Sequence, residues 1–176
     1  MKLPISIPSF RTVMDVAGYL RTLAGSAQGG WNVEHREDGT HRIDWRDATF
    51  DAADFTMNTG TWTVDRADVL LYQYAQLGTL TLVQFNVQST TISAGAGNEL
   101  RLRIPGRIRA KHKESTGILF ISGADNGPQV SYCVTRDDNN GGADRLGLFR
   151  NNNGAWNAST NVTGVRGFIA FESETY

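Results

Sequence analysis

Short alternating runs separated by turn clusters dominate the chain from about residue 60 to its end. In ELRLRI, two leucines and Ile104 alternate with Glu99 and two arginines, which is typical of a strand with one buried and one wet face. The turn clusters between the runs are rich in Gly, Asn and Asp, and the chain has 19 glycines. The strand candidates are DVLLYQYA, TLTLVQFNVQ, ELRLRI, GILFISG, QVSYCVT, RLGLFR and VRGFIAFE. The pattern predicts a mainly β protein, with an antiparallel β-sandwich or jelly roll over residues 60–176.

Residues 1–59 lack this series of short strand runs and are predicted to form an N-terminal segment that begins with a short α-helix. Ser9 can cap a helix over residues 9–24, and Gly25 can end it. A helix of this length is marginal alone in water, so its apolar face must dock on something. The stripe at helical spacing consists of Phe10, Val13, Val16, Leu20 and Leu23.

A β-hairpin is predicted over residues 31–45, with its turn at Asp38-Gly39. One register places all the apolar residues on the same face, and a slip by one residue would scatter them over both faces. An isolated hairpin is marginally stable at best, so this face also needs a cover. We therefore expect the helix stripe and the hairpin face to anchor the chain and to form subunit contacts. The apolar hairpin residues are Trp31, Val33, Ile43 and Trp45.

Composition excludes several classes of function. Lys plus Arg number 17 and Asp plus Glu number 18, so the net charge is -1 and the electrostatic footprint of a nucleic-acid binder is missing. No apolar run approaches the roughly 18 residues that a membrane-spanning helix needs, so membrane insertion is not expected. Cys133 is the only cysteine, which excludes an internal disulfide and a cysteine-rich zinc site. We expect its thiol to be inert.

The sequence contains no recognisable catalytic or metal-binding motif. The sequence lacks G-x-S-x-G, H-E-x-x-H and a phosphate-cradling glycine loop. His35 and His41 face each other in the predicted hairpin, but two ligands are too few for a typical zinc site, although a threefold assembly could gather six. DDNNGGAD has Leu148 where a calcium loop requires glutamate, so it is interpreted as a turn. We expect no enzyme activity, no metal and no cofactor.

The remaining charged groups are expected to be solvated surface residues without a catalytic role. His112 is flanked by lysines and is expected to be solvated. The carboxylates of Glu172 and Glu174 are expected at the surface rather than as the paired acids of a glycosidase. The basic run RIPGRIRAKHK is interpreted as a solvated face, with contact to an anionic glycan or to a neighbouring subunit as the alternative.

From Trp31 onward, most of the chain resembles a β-jelly-roll module found in tailed-phage fibre and surface proteins. The block from Gly60 to Gly106 looks like the opening of that module, and VRGFIAFES is similar to its last strand. EHREDGTH is similar to HxDGTH-like segments of phage structural proteins. The positions that carry the resemblance are Trp62, Tyr72, Tyr74, Gly78, Phe85, Leu100, Leu102, Ile104, Pro105 and Gly106.

The resemblance implies a homotrimer on the virion surface. Its N-terminus would dock on other virion proteins (capsid, portal or tail), and its jelly-roll head would face outward. Because no long shaft separates the hairpin from the head, a short tail fibre, head fibre or decoration protein is implied. An alternative is a lectin-like or cytokine-like trimeric binding module that belongs to no virion. A glycan-cleaving enzyme is a third hypothesis.

Three polar loops of the head are candidates for contact with host surface polysaccharide. ADNGPQ, RDDNNGGAD and RNNNGAW combine small polar residues with an aromatic residue, a composition typical of shallow glycan contact. The candidate residues are Asn126, Asp138, Asn140, Asn152 and Trp156.

Overall fold

A computed structural model describes residues 43–137 and 143–174 of the chain. Contacts divide the chain into two units, Met1–Arg42 and Ile43–Tyr176, and the second unit holds all the described residues. The predicted helix over residues 9–24 and the predicted hairpin up to residue 42 lie outside the described residues. Both remain predictions.

The described residues form ten strands and no α-helix, and four 3-10 turns are the helical elements of this part of the chain. Each of the seven predicted runs overlaps one of the strands β4 to β10, so the mainly β class is confirmed. The strands are β1 (Arg46–Asp47), β2 (Phe55–Met57), β3 (Trp62–Thr63), β4 (Val69–Leu77), β5 (Leu80–Ile92), β6 (Glu99–Arg103), β7 (Thr116–Ser122), β8 (Gln129–Arg136), β9 (Arg145–Phe149) and β10 (Ser159–Glu172).

All ten strands belong to one antiparallel sheet. Its order is β1-β4-β5-β10-β7-β8-β9-β6-β2, and β3 pairs with the end of β5. The two longest strands, β5 and β10, pair in register from Val87 opposite Val165 to Leu80 opposite Glu172. They form the middle of a curled sheet.

The sheet begins earlier than the predicted boundary between residues 59 and 60. β1 pairs with β4, and β2 pairs with β6. Strands of two and three residues are too short to show an alternating period, so residues 46–57 gave no strand signal. Ile43 and Trp45, predicted for the hairpin, are in no strand; the chain next pairs at Arg46, opposite Tyr74 of β4.

One face of the sheet, here called the inner face, carries the core. In β5, Val83, Phe85 and Val87 are buried on this face, whereas Gln84 and Asn86 lie between them on the outer face. The period of two that a strand requires therefore separates core from surface in the middle of the sheet. Similar inward positions on β6, β7, β9 and β10 are filled by Leu100, Leu102, Leu119, Ile121, Leu146, Leu148, Val165 and Ile169.

Three aromatic side chains join strands from opposite ends of the sheet order. The Phe55 ring of β2 lies 5.5 Å from the Trp62 ring of β3, edge to face, and 6.0 Å from the Tyr72 ring of β4. Tyr72 Oη also donates a hydrogen bond to the carbonyl oxygen of Arg103 in β6. Aromatic pairs of this geometry contribute about 0.5–1.5 kcal/mol each beyond the area that they bury. The inner face is thereby closed within one chain.

Cys133 lies in this core, so the reactivity of its thiol reports whether the core is intact. The side chain is fully buried, and burial raises the pKa of the thiol to about 12. The thiolate, which is the reactive form, is then roughly a thousandfold rarer at pH 8 than in an unfolded chain, where cysteine titrates near 8.5. We expect no labelling of the native protein by a thiol reagent and rapid labelling in guanidinium chloride. Native labelling at the rate of the denatured control would contradict the buried position of Cys133.

Candidate functional site

An apolar patch lies on the outer face of the sheet, across β10, β7 and β8. It consists of Ile118, Phe120, Val130 and Phe168 and is called the outer patch. The register places these side chains next to each other, because Phe168 lies opposite Ile118, and Phe120 lies opposite Val130. Ile118 is 69% exposed, Val130 66% and Phe168 44%. The described residues therefore cover these three side chains only in part, unlike the side chains of the core.

The outer patch exists because β7 is apolar on both faces. Leu119 and Ile121 point to the inner face and are fully buried, while Ile118 and Phe120 alternate with them on the outer face. A strand that is apolar on both sides is typical of a sheet that is covered on both sides. The inner cover is supplied by the core of this chain. The outer cover is not supplied by the described residues.

Polar and aromatic contacts mark the limits of the outer patch. Toward β4, the sheet face becomes polar where Gln84 donates a hydrogen bond of 3.0 Å to Gln73. On the β9 side, the Tyr132 ring stacks on Phe149 with centroids 5.3 Å apart. The Arg166 guanidinium lies over the Phe120 ring, 4.3 Å from its centroid, a cation–π contact that keeps the charge at the edge of the apolar surface. A shallow depression of about 400 Å³ extends from Ile118, Phe120 and Phe168 across β5 to Leu71 of β4.

A second feature is a cavity at the end of β6, lined by arginines. The turn Pro105–Arg107 follows the strand, with φ of +70° at Gly106 and +59° at Arg107. A Cβ atom on Gly106 would lie 2.8 Å from the Tyr74 ring, so the turn can approach β4 only with glycine at this position. The turn brings Arg103, Arg107 and Arg109 around a cavity of about 320 Å³, which we call the arginine cavity.

Arg103 separates this cavity from an acidic one. Its guanidinium lies 3.7 Å from an Asp54 carboxylate oxygen and 3.9 Å from one of Asp144. On the Asp54 side, Asp47 and Asp51 complete a cavity of about 290 Å³, here called the acidic cavity. Burial raises the pKa of Asp54, and the opposing effect of Arg103 is smaller.

Two of the predicted glycan contacts are corrected by the structure. Trp156 is 2% exposed and belongs to the core, and Asn126 is completely buried. The loops that contain them pack on each other: the Asn126 side-chain amide donates to the Asn157 carbonyl oxygen at 2.8 Å, and its oxygen accepts from the Asn157 N–H at 2.7 Å. Neither residue offers surface to a sugar. Asn152 is exposed, as predicted for a loop contact, while Asp138 and Asn140 lie outside the described residues.

The charged residues considered as catalytic candidates form surface pairs. Lys111 donates to Glu172 at 2.6 Å, and His112 lies 3.5 Å from the same carboxylate. The Lys111 hydrogen bond lowers the pKa of Glu172, so this carboxylate is held ionised and not poised as a general acid. Over residues 43–137 and 143–174, no three His, Cys, Asp or Glu side chains come together as metal ligands. His35 and His41 lie outside the described residues.

Sequence reasoning did not identify the outer patch, although a signal was present. GILFIS is an unbroken apolar run, whereas a strand with a solvated face should alternate. Both cavities went unpredicted because they depend on which strands curl toward each other. The part of the chain that the structure describes also contains no helix of the length and apolarity that crossing a membrane requires.

Asp54, in the acidic cavity, makes the stability of the protein depend on pH in a predictable direction. Because its pKa is raised above the ordinary value of 3.8 in the folded chain, the unfolded state ionises first as the pH rises. The contribution of Asp54 to stability is therefore fully present below that value and is lost as the pH rises through the folded pKa. We expect the free energy of unfolding of Asp54→Asn, relative to that of the wild type, to be greater at about pH 7 than at about pH 3. Chemical denaturation of both proteins at the two pH values measures this difference.

The matched control for this variant is Asp44→Asn, at an exposed carboxylate. It should change the stability by about 0.5 kcal/mol or less, as surface substitutions usually do. If Asp54→Asn behaves like Asp44→Asn, burial of the Asp54 carboxylate is not the dominant effect.

Comparisons with known proteins give no relative from which a function can be transferred. No protein-family model matches the sequence, no curated protein matches it, and no solved structure matches its fold. The functional proposal depends on the residues of the chain itself.

Proposed function

We propose that this protein is a homotrimeric structural component of a bacteriophage virion: a short tail fibre, head fibre or decoration protein without catalytic activity. The observation that supports the proposal best is the outer patch, an apolar surface on a chain whose inner face is already closed. In this proposal the N-terminal segment docks on the particle, the β-rich unit faces outward, and copies of the chain cover one another's outer patches.

Burial of the outer patch would contribute a favourable term to self-association. Complete burial of a Val, Ile or Phe side chain contributes about 1.5–3 kcal/mol. Scaled by the exposed fractions of Ile118, Val130 and Phe168, the gain is on the order of 4 kcal/mol per subunit. The net charge of -1 adds little repulsion between copies. Closed symmetric assembly is the usual way in which identical chains cover such a surface.

The proposal extends to the finer fold. We propose that the curled sheet is a jelly-roll-like sandwich and that the helix over residues 9–24 precedes it. The contact of Phe55 in β2 with Tyr72 in β4 supports this arrangement, because it brings strands from the two ends of the sheet order face to face.

A lectin-like or cytokine-like trimer that belongs to no virion is the second candidate, and the outer patch favours it equally. The N-terminal segment separates the two candidates. Because β1 and β2 belong to the sheet, the informative deletion removes residues 1–42 and leaves Ile43 onward intact. On the virion proposal, the shortened chain remains a trimer and no longer co-purifies with particles. A full-length chain that does not co-purify with particles would favour the second candidate.

The outer patch itself is tested by a double variant, Ile118→Ser with Phe168→Ser. Both side chains are exposed in the single chain, so each replacement should lower its stability by only about 1 kcal/mol through lost strand propensity and cross-strand contact. In the assembly both would be buried, so we expect the mass measured by light scattering to fall from about 58 kDa, for three 19.3 kDa chains, to that of one chain.

The control is Leu80→Ser with Val162→Ser, at positions that are 41% and 45% exposed and lie outside the outer patch. The control should keep the trimer mass. A trimer that survives the patch variant, or that is lost equally in the control, would show that the outer patch is not the interface.

A further inference from the structure

We propose that the arginine cavity binds the anionic group of an acidic polysaccharide. This inference deepens the proposed function, since it names the class of host-surface glycan that the outward-facing unit would recognise. It places the contact at Arg103, Arg107 and Arg109, away from the loops that the sequence suggested.

The first support is the distribution of ion pairs along the basic run. Lys111 is paired with Glu172, and Lys113 with Asp137, each at 2.6 Å. Arg107 and Arg109, in the same run, form no side-chain hydrogen bond or ion pair with any residue in the described parts of the chain. Their charges are therefore available to a ligand, while those of the lysines are already neutralised.

The second support is the backbone at Arg107. Its φ of +59° lies in the left-handed region, which a long side chain rarely adopts and which costs on the order of 1 kcal/mol or more. Residues held in this way cluster at ligand sites. Here the conformation turns the chain so that Arg107 lines the same cavity as Arg103.

The chemistry of the lining selects an oxyanion. A guanidinium presents its N–H groups as a planar fork that matches carboxylate, sulfate and phosphate groups. The cavity of about 320 Å³ is at the lower end of the range for small-ligand sites. Three arginines and one aspartate, Asp144, line it together with Ile104. A single charged sugar fits this size and charge better than a bulky apolar ligand does.

The adjoining acidic cavity limits how closely anionic groups can follow one another along the bound polysaccharide. The two cavities share Arg103, Ile104 and Arg107 in their linings, so they lie next to each other. The carboxylates of Asp51 and Asp54 would accept hydrogen bonds from sugar hydroxyls and would repel a second anion. The favoured ligand therefore has neutral sugars between its charged ones. A polyphosphate such as a nucleic acid, with a charge on every unit, is disfavoured.

The test measures binding of the full-length protein to immobilised polymers at low salt. The probes are hyaluronan, which carries a carboxylate on every second sugar, chondroitin sulfate, which adds sulfate groups, neutral dextran and double-stranded DNA. We expect binding to hyaluronan or chondroitin sulfate that weakens with added salt. Binding to dextran should be absent, and binding to DNA weaker than binding to either acidic polysaccharide. The hyaluronan and chondroitin sulfate arms separate carboxylate from sulfate recognition.

The diagnostic variant is Arg107→Asn with Arg109→Ser. Asparagine tolerates the left-handed backbone at residue 107, so the turn should be preserved, which thermal unfolding can check. Loss of two charge-assisted contacts should weaken binding about tenfold or more. Lys111→Ser with Lys113→Ser removes the same formal charge from the same run and should change affinity by less than about threefold, because these lysines are already paired.

Several outcomes would overturn the inference: no binding to either acidic polysaccharide, equal weakening by the arginine and lysine variants, or stronger binding to DNA. Arg107→Lys, which keeps the charge and loses the planar fork, should bind with intermediate affinity. The oligomeric mass of each variant is measured in parallel. A trimer that binds no acidic polysaccharide contradicts this inference alone, and a monomer that binds one contradicts the trimer alone.

Discussion

The aromatic cluster in which Phe55 contacts both Trp62 and Tyr72, together with the hydrogen bond from Tyr72 to the Arg103 carbonyl, is the interaction on which the rest of the structure depends. It ties β2, β3 and β6 to β4 across the inner face. Burial raises the pKa of Tyr72 far above its usual value, so the phenol remains a donor at any physiological pH. The same bond fixes the end of β6, from which the arginine cavity is built.

Closure of the inner face determines what remains to be covered. A sheet whose inner side chains are buried against its own opposite end needs no second chain for its core. The apolar residues that remain exposed then include those on the outer side of β10, β7 and β8, with Ile118 and Val130 about two-thirds exposed. In the proposed trimer, assembly would therefore be separate from folding, and the outer patch could be altered without loss of the fold.

The sequence predicted the strands that are long enough to show a period. β4 to β10 each overlap a run of alternating or continuous apolar residues, while β1, β2 and β3 have two or three residues and leave no such pattern. Trp156 and Asn126 were assigned to the surface because they lie in turn clusters. Their burial depends on Asn126 meeting Asn157, 31 residues away. Composition cannot show that pairing.

The candidate sites were less predictable than the fold, for a related reason. The basic run was visible in the sequence, but the fold decides which of its cations have a carboxylate partner, as Arg103, Lys111 and Lys113 do. For Lys111 the partner depends on the backbone bond that holds this residue against Glu172. Which positive charges are free is a property of strand register, and register over such separations is set by the whole sheet. The outer patch had a local signal in GILFIS, where the outward residues are as apolar as the inward ones.

The central claim is that the outer face of the sheet, unlike the inner face, is covered by other copies of the chain. Hydroxyl-radical footprinting of Phe168 across a range of protein concentrations tests it most directly. Its ring is 44% exposed in a single chain, so it should be modified readily at high dilution and become protected as the chain assembles. Phe85, which is buried on the inner face, should be protected at every concentration. A Phe168 ring that is modified at the same rate in the dilute and concentrated protein would contradict the account.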